Sequence, residues 1–406
     1  MGPSRFCTIF AFMHTLTKTT KMKKIMIIAC LFSFQAKAQN IDDNFVTFNY
    51  TQLPLTSVEE SLRSYRFEVV TDVEGANMDS TTTYQIRLDN AVSTYQKRMD
   101  TWLSKMSLLQ QQENSSGLSQ SMNYPPKPSL ELVLKPVQHP TTTNASAEGI
   151  KISGFSEGEN GLLVKYTLLP LKNVKFSYSQ KGEAANTKYN YKCSYTLQAK
   201  MEVTDPNNTV LFEKIVGGTQ IKSLGKYKST YDFAKWYMNN RESFYAQIES
   251  EGRKAAVSGS GSALDSQFGY INKSRKAEMY SVKKYKDYDY TDVILAYDQT
   301  TEALLKVGES RDRSEAMDAL GSARDLWLKI LEESNLQNKK ERINAKISAM
   351  IWCNLAEIAV WMADFNEADN QVSKTMNSGV FKAKSHIKGE KSFYADQKNR
   401  WEANFE

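Results

Sequence analysis

The chain has 406 residues, enough for two or three domains with their own cores, and its 41% hydrophobic and 11% aromatic content excludes a disordered chain. A formal charge of +6 invites a nucleic-acid reading, but residues 1–38 hold Arg5, Lys18, Lys21, Lys23, Lys24 and Lys37 and no acid, which is the whole excess. The remainder is formally neutral, so no broadly basic body exists to bind nucleic acid.

In chain order, the leader comes first. Met22-Lys23-Lys24 is a positive segment, IMIIACLFSF (25–34) a short apolar one, and QAKA (35–38) places Ala36 and Ala38 where a signal peptidase needs small residues. About ten apolar residues are too few to span a bilayer, which takes roughly 20 in a helix. The expectation is export with cleavage before Gln39, with residues 1–21 read as an over-extended start. A competing reading makes Ile27-Ile28-Ala29-Cys30 a lipobox and Cys30 a lipid-bearing N-terminus. Only five residues, Ile25 to Ala29, separate Lys24 from Cys30, fewer than an apolar leader core uses, so simple secretion is preferred. Cys193 and Cys353 then remain; they read as two buried apolar thiols rather than a disulfide.

FVTFNY (45–50) and YRFEVV (65–70) predict strands. A helix over 85–112 follows, with Leu88, Val92, Tyr95, Met99, Trp102, Met106 and Leu109 forming one apolar seam of about three heptads. Such a seam can grip a partner helix or pack on the protein's own sheet; its modest length favours the sheet. QQQENSSGLSQSMNYPPKP (110–128) is a polar, proline-ended loop, SLELVLKPV (129–137) a further predicted strand, and HPTTTNASAEG (139–149) a linker.

From residue 150 the period becomes two. In YKCSYTLQAKMEVT (191–204), Tyr191, Cys193, Tyr195, Leu197, Ala199, Met201 and Val203 alternate with polar residues, as in a half-buried antiparallel strand. Asp205-Pro206-Asn207-Asn208 supplies a turn and 209–218 the returning strand. Residues 162–170 and 173–179 extend the sheet, 231–256 is helical, and GSGS (259–262) breaks that helix. From Tyr290 onward the pattern is helical, with segments expected at 291–307, 314–334, 338–363, 365–377 and 391–404.

The stretch AMIWCNLAEIAVWMADFNEADNQVSKTM (349–376) resembles a tetratricopeptide repeat. Trp352 takes the Trp place on the first helix, Leu355-Ala356 the Leu-Gly place, and Ala359 stands where Tyr is usual. Phe365 follows in the turn, and Ala368 and Val372 lie on the second helix. ARDLWLKIL (323–331), with Ala323, Trp327, Ile330 and Leu331, repeats the second-helix signature. No proline closes the repeat near 381, and the helix upstream of ARDLWLKIL does not keep the repeat spacing. The resemblance implies helical hairpins over about 290–406 and, further, a surface for binding protein or peptide.

Catalytic groups are scarce. His14, His139 and His386 are the only histidines, none with a Cys or acid at ligand spacing. Gly154-Phe155-Ser156-Glu157-Gly158 matches the nucleophile-elbow pattern G-x-S-x-G, yet ENGLLVKYT after it reads as a strand where the elbow needs a helix. Asp287, Asp289 and Asp292 lack the glycine and the twelfth-position glutamate of a calcium loop; Asp289 or Thr291 reads instead as a helix cap. Of the tyrosines, Tyr285, Tyr288 and Tyr290 are the candidate exposed surface, while Tyr191 and Tyr195 share an apolar strand face.

The expected architecture is α+β. Antiparallel-sheet N-terminal (39–149) and middle (150–285) regions precede an all-α tetratricopeptide-like module (286–406). The function read from it is an exported, periplasmic, non-enzymatic binding or scaffold protein that contacts another envelope protein or peptide. It has no catalytic, metal or cofactor residues, no nucleic-acid partner and no transmembrane span. The alternatives are a glycan-binding envelope protein and, behind it, a serine hydrolase at Ser156.

Overall fold

The computed structural model describes residues 40–116, 124–143, 145–181, 188–284 and 288–406. The leader, with Met22, Cys30 and the cleavage site, lies outside these residues, as do Tyr285 and Asp287. No helix among the described residues is long and apolar enough to cross a membrane. The protein is α+β, with sheet in its N-terminal and middle parts and helices towards the C-terminus.

The chain divides into two compact units. One comprises the described residues up to Gln52 together with Asn272–Glu402; the other comprises Leu53–Ile271 with Ala403–Glu406. These boundaries differ from those expected at 149/150 and 285/286. The 39–149 and 150–285 regions are not separate pieces, because the strand at 64–71 pairs into the sheet of the middle region. The N-terminal strand leaves that region for the C-terminal one, where its partner lies.

In the unit spanning 53–271, the strands are β2 (Ser64–Thr71), β3 (Ser156–Glu157), β4 (Leu162–Leu168), β5 (Lys172–Lys181), β6 (Lys188–Thr204) and β7 (Val210–Tyr227). Its helices are α1 (Glu74–Ser116), α2 (Thr230–Ser258) and α3 (Gly261–Phe268). The sheet runs β3-β2-β4-β6-β5, with β7 on the other edge of β6. The expected alternation holds along β6: Tyr191 through Val203 at every second position are buried. Asp205 closes the β6–β7 turn by accepting from the Asn207 and Thr209 amides at 2.9 and 2.8 Å, with Asn208 at φ +62°. Helix α2 covers the apolar face through Phe244, Ile248, Gly252 and Ala256. Gly217 on β7 sits at φ +82°, and a Cβ there would stand 2.6 Å from the Leu197 carbonyl and 2.7 Å from Ala256 Cβ, so glycine permits the helix to cross.

Two expectations are corrected here. The sheet is not wholly antiparallel: β2 pairs parallel with β3 and β4, because α1 and a long return segment form a crossover between them. Residues 129–137 are not a strand, since they find no ladder. They belong to an extended segment laid along α1. Asn77 exchanges two hydrogen bonds with the His139 backbone (2.9 and 2.7 Å), and Trp102 Nε1 donates to Pro125 O at 2.9 Å. Residues 125 to 139 therefore span helix residues 77 to 102, about 37 Å at 1.5 Å per residue. That is about 2.7 Å per segment residue, close to the rise of an extended chain. No side chain described on α1 is buried. Trp102 of its seam meets this strap, Val92 is exposed, and no seam residue joins the core of the sheet.

In the other unit, β1 (Asn40–Gln52) and β8 (Ile271–Lys284) form a two-stranded sheet beside the helices of 286–406. Helices α4 (Thr291–Leu305), α5 (Ser314–Leu331), α6 (Ala345–Trp361), α7 (Phe365–Asn377) and α8 (Phe381–Phe405) follow. Helix α6 starts at Ala345 rather than 338, because Asn344 accepts from the Lys346 and Ile347 amides and caps it there. Val46, Phe48 and Tyr50 of β1 pack with α4, α5 and one side of α6, and Ala277 and Met279 of β8 join that core. The opposite side of α6 packs on α7, α8 and Tyr280.

Candidate functional site

The stretch 349–376, whose residues suggested a tetratricopeptide repeat, falls on α6 and α7, which are joined by Met362-Ala363-Asp364. The Asp364 carboxylate caps α7 by accepting from the Glu367 amide at 3.1 Å. Leu355, Ala356, Ala359, Phe365 and Ala368 are buried, and Trp352 is partly so. Ala356, Ala359 and Ala368 share one apolar cluster with Phe365, and small side chains there let the two helices approach. Trp327 on α5 is buried in the neighbouring cluster, with Nε1 donating to Thr300 Oγ1 at 2.9 Å. The structure thus gives every one of these residues a packing role.

Between α7 and α8 runs a groove of about 330 Å³. Phe365, Ala368, Val372 and Tyr394 form its buried floor. Its rim carries Asp369 and Ser373 from α7, and Lys391 and Lys398 from α8. The floor is fixed from beneath. Tyr394 donates its hydroxyl to Glu357 Oε2 at 2.9 Å, and Trp361 Nε1 donates to Glu357 Oε1 at 2.8 Å. Arg275 on β8 grips the same carboxylate with two bonds of 2.9 and 2.7 Å and adds Glu390 at 2.8 Å. Its guanidinium also lies 3.9 Å from the Phe393 ring centroid.

Burial alone would push the Glu357 carboxyl up; the Arg275 charge and the bonds from Arg275, Trp361 and Tyr394 instead hold it below its ordinary value. Burial, and then the Glu357 charge, drive the Tyr394 hydroxyl well up. Each of these polar groups is satisfied, so the cluster acts as a rigid floor and offers no free acid or base.

A second buried cation, Arg313, has no carboxylate in hydrogen-bond reach among the described residues. It donates to Gln397 Oε1 (2.9 Å) and Val360 O (3.4 Å) and lies over the Trp361 and Trp401 rings at 4.6 and 5.0 Å. Burial lowers its guanidinium to about 10.

The tyrosines are brought to different ends. Tyr290 is not an exposed binding residue: it is buried, and its hydroxyl donates to Arg342 O at 3.0 Å. Tyr288 is exposed and donates to Lys340 O at 3.1 Å. Tyr285 lies outside the described residues. Tyr191 and Tyr195 are core, the former stacked on Phe233 at 3.8 Å. Asp289 accepts from the Thr291 amide at 2.9 Å, but the residue that opens α4 is Tyr290, which makes no side-chain cap bond.

Ser156 lies exposed in the two-residue strand β3, after a turn with Gly154 at φ +83°, and not on a strand-to-helix elbow. In its own unit His139 pairs with Glu249 at 3.2 Å. His386, in the other unit, pairs with Glu278 at 3.1 Å. Cys193 and Cys353 are both buried and free. Burial raises the Cys193 thiol to about 11 and pushes Cys353 higher still, opposite to what a nucleophile needs.

Sequence reasoning missed Lys391, Tyr394 and Lys398. Their spacing of three and four, with Ala395 between, marks one face of α8 and was the available signal. Nothing in the sequence pointed to Arg275 as the partner of Glu357. Comparisons with protein-family models, with curated proteins and with solved structures return no match.

Proposed function

We propose that the chain is an exported, non-enzymatic binding or scaffold protein of the cell envelope, using tetratricopeptide-like hairpins to hold a segment of another envelope protein. The observation that carries this reading is the α7–α8 groove. Its floor is apolar and locked by the Arg275–Glu357 cluster, while its rim presents Lys391 and Lys398 opposite Asp369. A preformed apolar trough with a few charges suits an extended peptide, whose ordering is the main cost of binding. Export is supported by the Met22–Ala38 leader pattern.

The test uses the full chain, because a piece starting at 286 would lack β1 and β8, which complete the helical core. A photo-crosslinking residue is placed at Ser373 on the groove rim or at exposed Lys329 on α5, in cells that make the protein. One discrete crosslinked partner from position 373, absent from 329 and lost with Lys391→Glu/Lys398→Glu, is expected. Equal labelling from both positions, or labelling unaffected by the charge reversals, rejects the groove.

A further inference from the structure

The strap along α1 has the make-up of a β-strand without a neighbour. Among the described residues no backbone–backbone hydrogen bond involves residues 125–138. Leu130, Leu132 and Leu134 are 49%, 75% and 40% exposed, an alternating apolar row turned to solvent. Unpaired extended main chain beside exposed leucines is a template for strand addition. Its far end is held firmly. Buried Arg253 donates to Pro140 O and Thr142 O at 2.9 and 3.0 Å and pairs with Glu249, and Arg241 donates to Lys135 O at 2.6 Å. The strap is thus presented on a scaffold, and an added strand would not have to order it first.

The charges of the segment select the partner. In SLELVLKPV (129–137) the two ionised residues, Glu131 and Lys135, stand symmetrically about Val133. If two copies pair antiparallel with Val133 on the two-fold axis, Glu131 of each faces Lys135 of the other, and Leu132 faces Leu134. Sliding the register by two residues either way sets both charges opposite Val or Ser. A parallel in-register pairing stacks Glu on Glu and Lys on Lys. In this register Pro136, which cannot donate to a ladder, faces Leu130 and so bounds the pairing to residues 131–135 of each copy. We infer that the chain self-associates as a two-fold dimer through antiparallel pairing of residues 131–135, with Glu131–Lys135 ion pairs setting the register. This surface lies in the unit that lacks the α7–α8 groove, and the inference does not rest on the groove reading.

Sedimentation velocity on the full chain over a dilution series tests it, with circular dichroism to confirm that each variant is folded. Wild type is expected to be a dimer that dissociates on dilution. Glu131→Lys and Lys135→Glu each place like charges at both ends of the ladder and should weaken the dimer about tenfold. The double variant Glu131→Lys/Lys135→Glu should restore it, and Leu132→Lys should leave monomer. A wild type that stays monomeric at all concentrations overturns the inference. So does a dimer indifferent to the single reversals, a double variant no better than the singles, or a dimer broken instead by Leu103→Lys on α1.

Discussion

Helices α6 and α1 show how differently one chain can treat the same kind of element. Of the 17 residues of α6, 14 are buried, because apolar side chains surround its axis and two separate clusters claim opposite sides. Helix α1 has 43 residues, about 64 Å at 1.5 Å each, and no described side chain on it is buried. Its apolar residues fall mainly in one narrow seam, and among the described residues only an extended strap runs along it. Burial depends less on how apolar a helix is than on how many elements can reach it.

The sharpest test of the packed region is its buried carboxylate. Glu357→Ala would leave Arg275 sharing only Glu390, and it is expected to destabilise the helical unit by about 3–5 kcal/mol in urea unfolding. The folded carboxyl lies below its ordinary value of 4.5, so its contribution is fully present above that pH and fades as pH falls towards the folded value. Wild type should therefore lose stability in acid below about pH 4.5, and Glu357→Gln should flatten that slope. An unchanged acid slope in the amide variant would show that Glu357 is not the group held low.

Matched truncations probe the contrast directly. Leu355→Ala, in the α6 core, should cost about 2–5 kcal/mol. Leu103→Ala, exposed on α1, should stay within about 0.5 kcal/mol. Comparable losses at the two sites would mean that the arm is covered after all.

The two regions were also unequally legible. The alternation in β6 and the hairpin of α6 and α7 were readable because each buries a regular stripe, and α7 starts and stops where Asp364 and the apolar period place it. Strand β8 was missed because its first half, INKSRK, is polar, while Met279, Tyr280, Ser281 and Val282 are buried on both faces and show no alternation. Residues 129–137 of the strap were read as a strand, but a strand exists only with a ladder, and ladders depend on tertiary placement. Half of the groove, Phe365 and Ala368, was visible through the repeat-like pattern. The other half was obscured because Lys382, Lys384, Lys388 and Gly389 hide the helical period of Ala383 and Ile387, so α8 begins ten residues before its expected start at 391.

Strap and helix should also separate under a single change. Trp102→Ala removes the indole that donates to Pro125 O and should cost about 1 kcal/mol. Its clearer readout is local: proteolysis within 124–138 should rise about tenfold while hydrogen-exchange protection of the β-sheet is unchanged. A loss of sheet protection to the same degree would mean that the strap is part of the sheet's cooperative unit.

The smallest effect comes from the one strained point in the best-packed hairpin. Ala363, in the three-residue link between α6 and α7, sits at φ +58°, a conformation that costs a side-chain-bearing residue about 1–2 kcal/mol. Glycine adopts it freely but loses more chain entropy on folding, about 0.5–1 kcal/mol. Ala363→Gly should therefore stabilise by about 0.5 kcal/mol, raising Tm by roughly 2 °C. The flanking bonds work independently of this residue's side chain: the Asp364 amide donates to Ala359 O at 2.9 Å, and the Asp364 carboxylate caps α7. A measured loss on Ala363→Gly would show that the Ala363 methyl makes a packing contribution larger than the strain, and that the link helps to hold the hairpin rather than merely tolerating it.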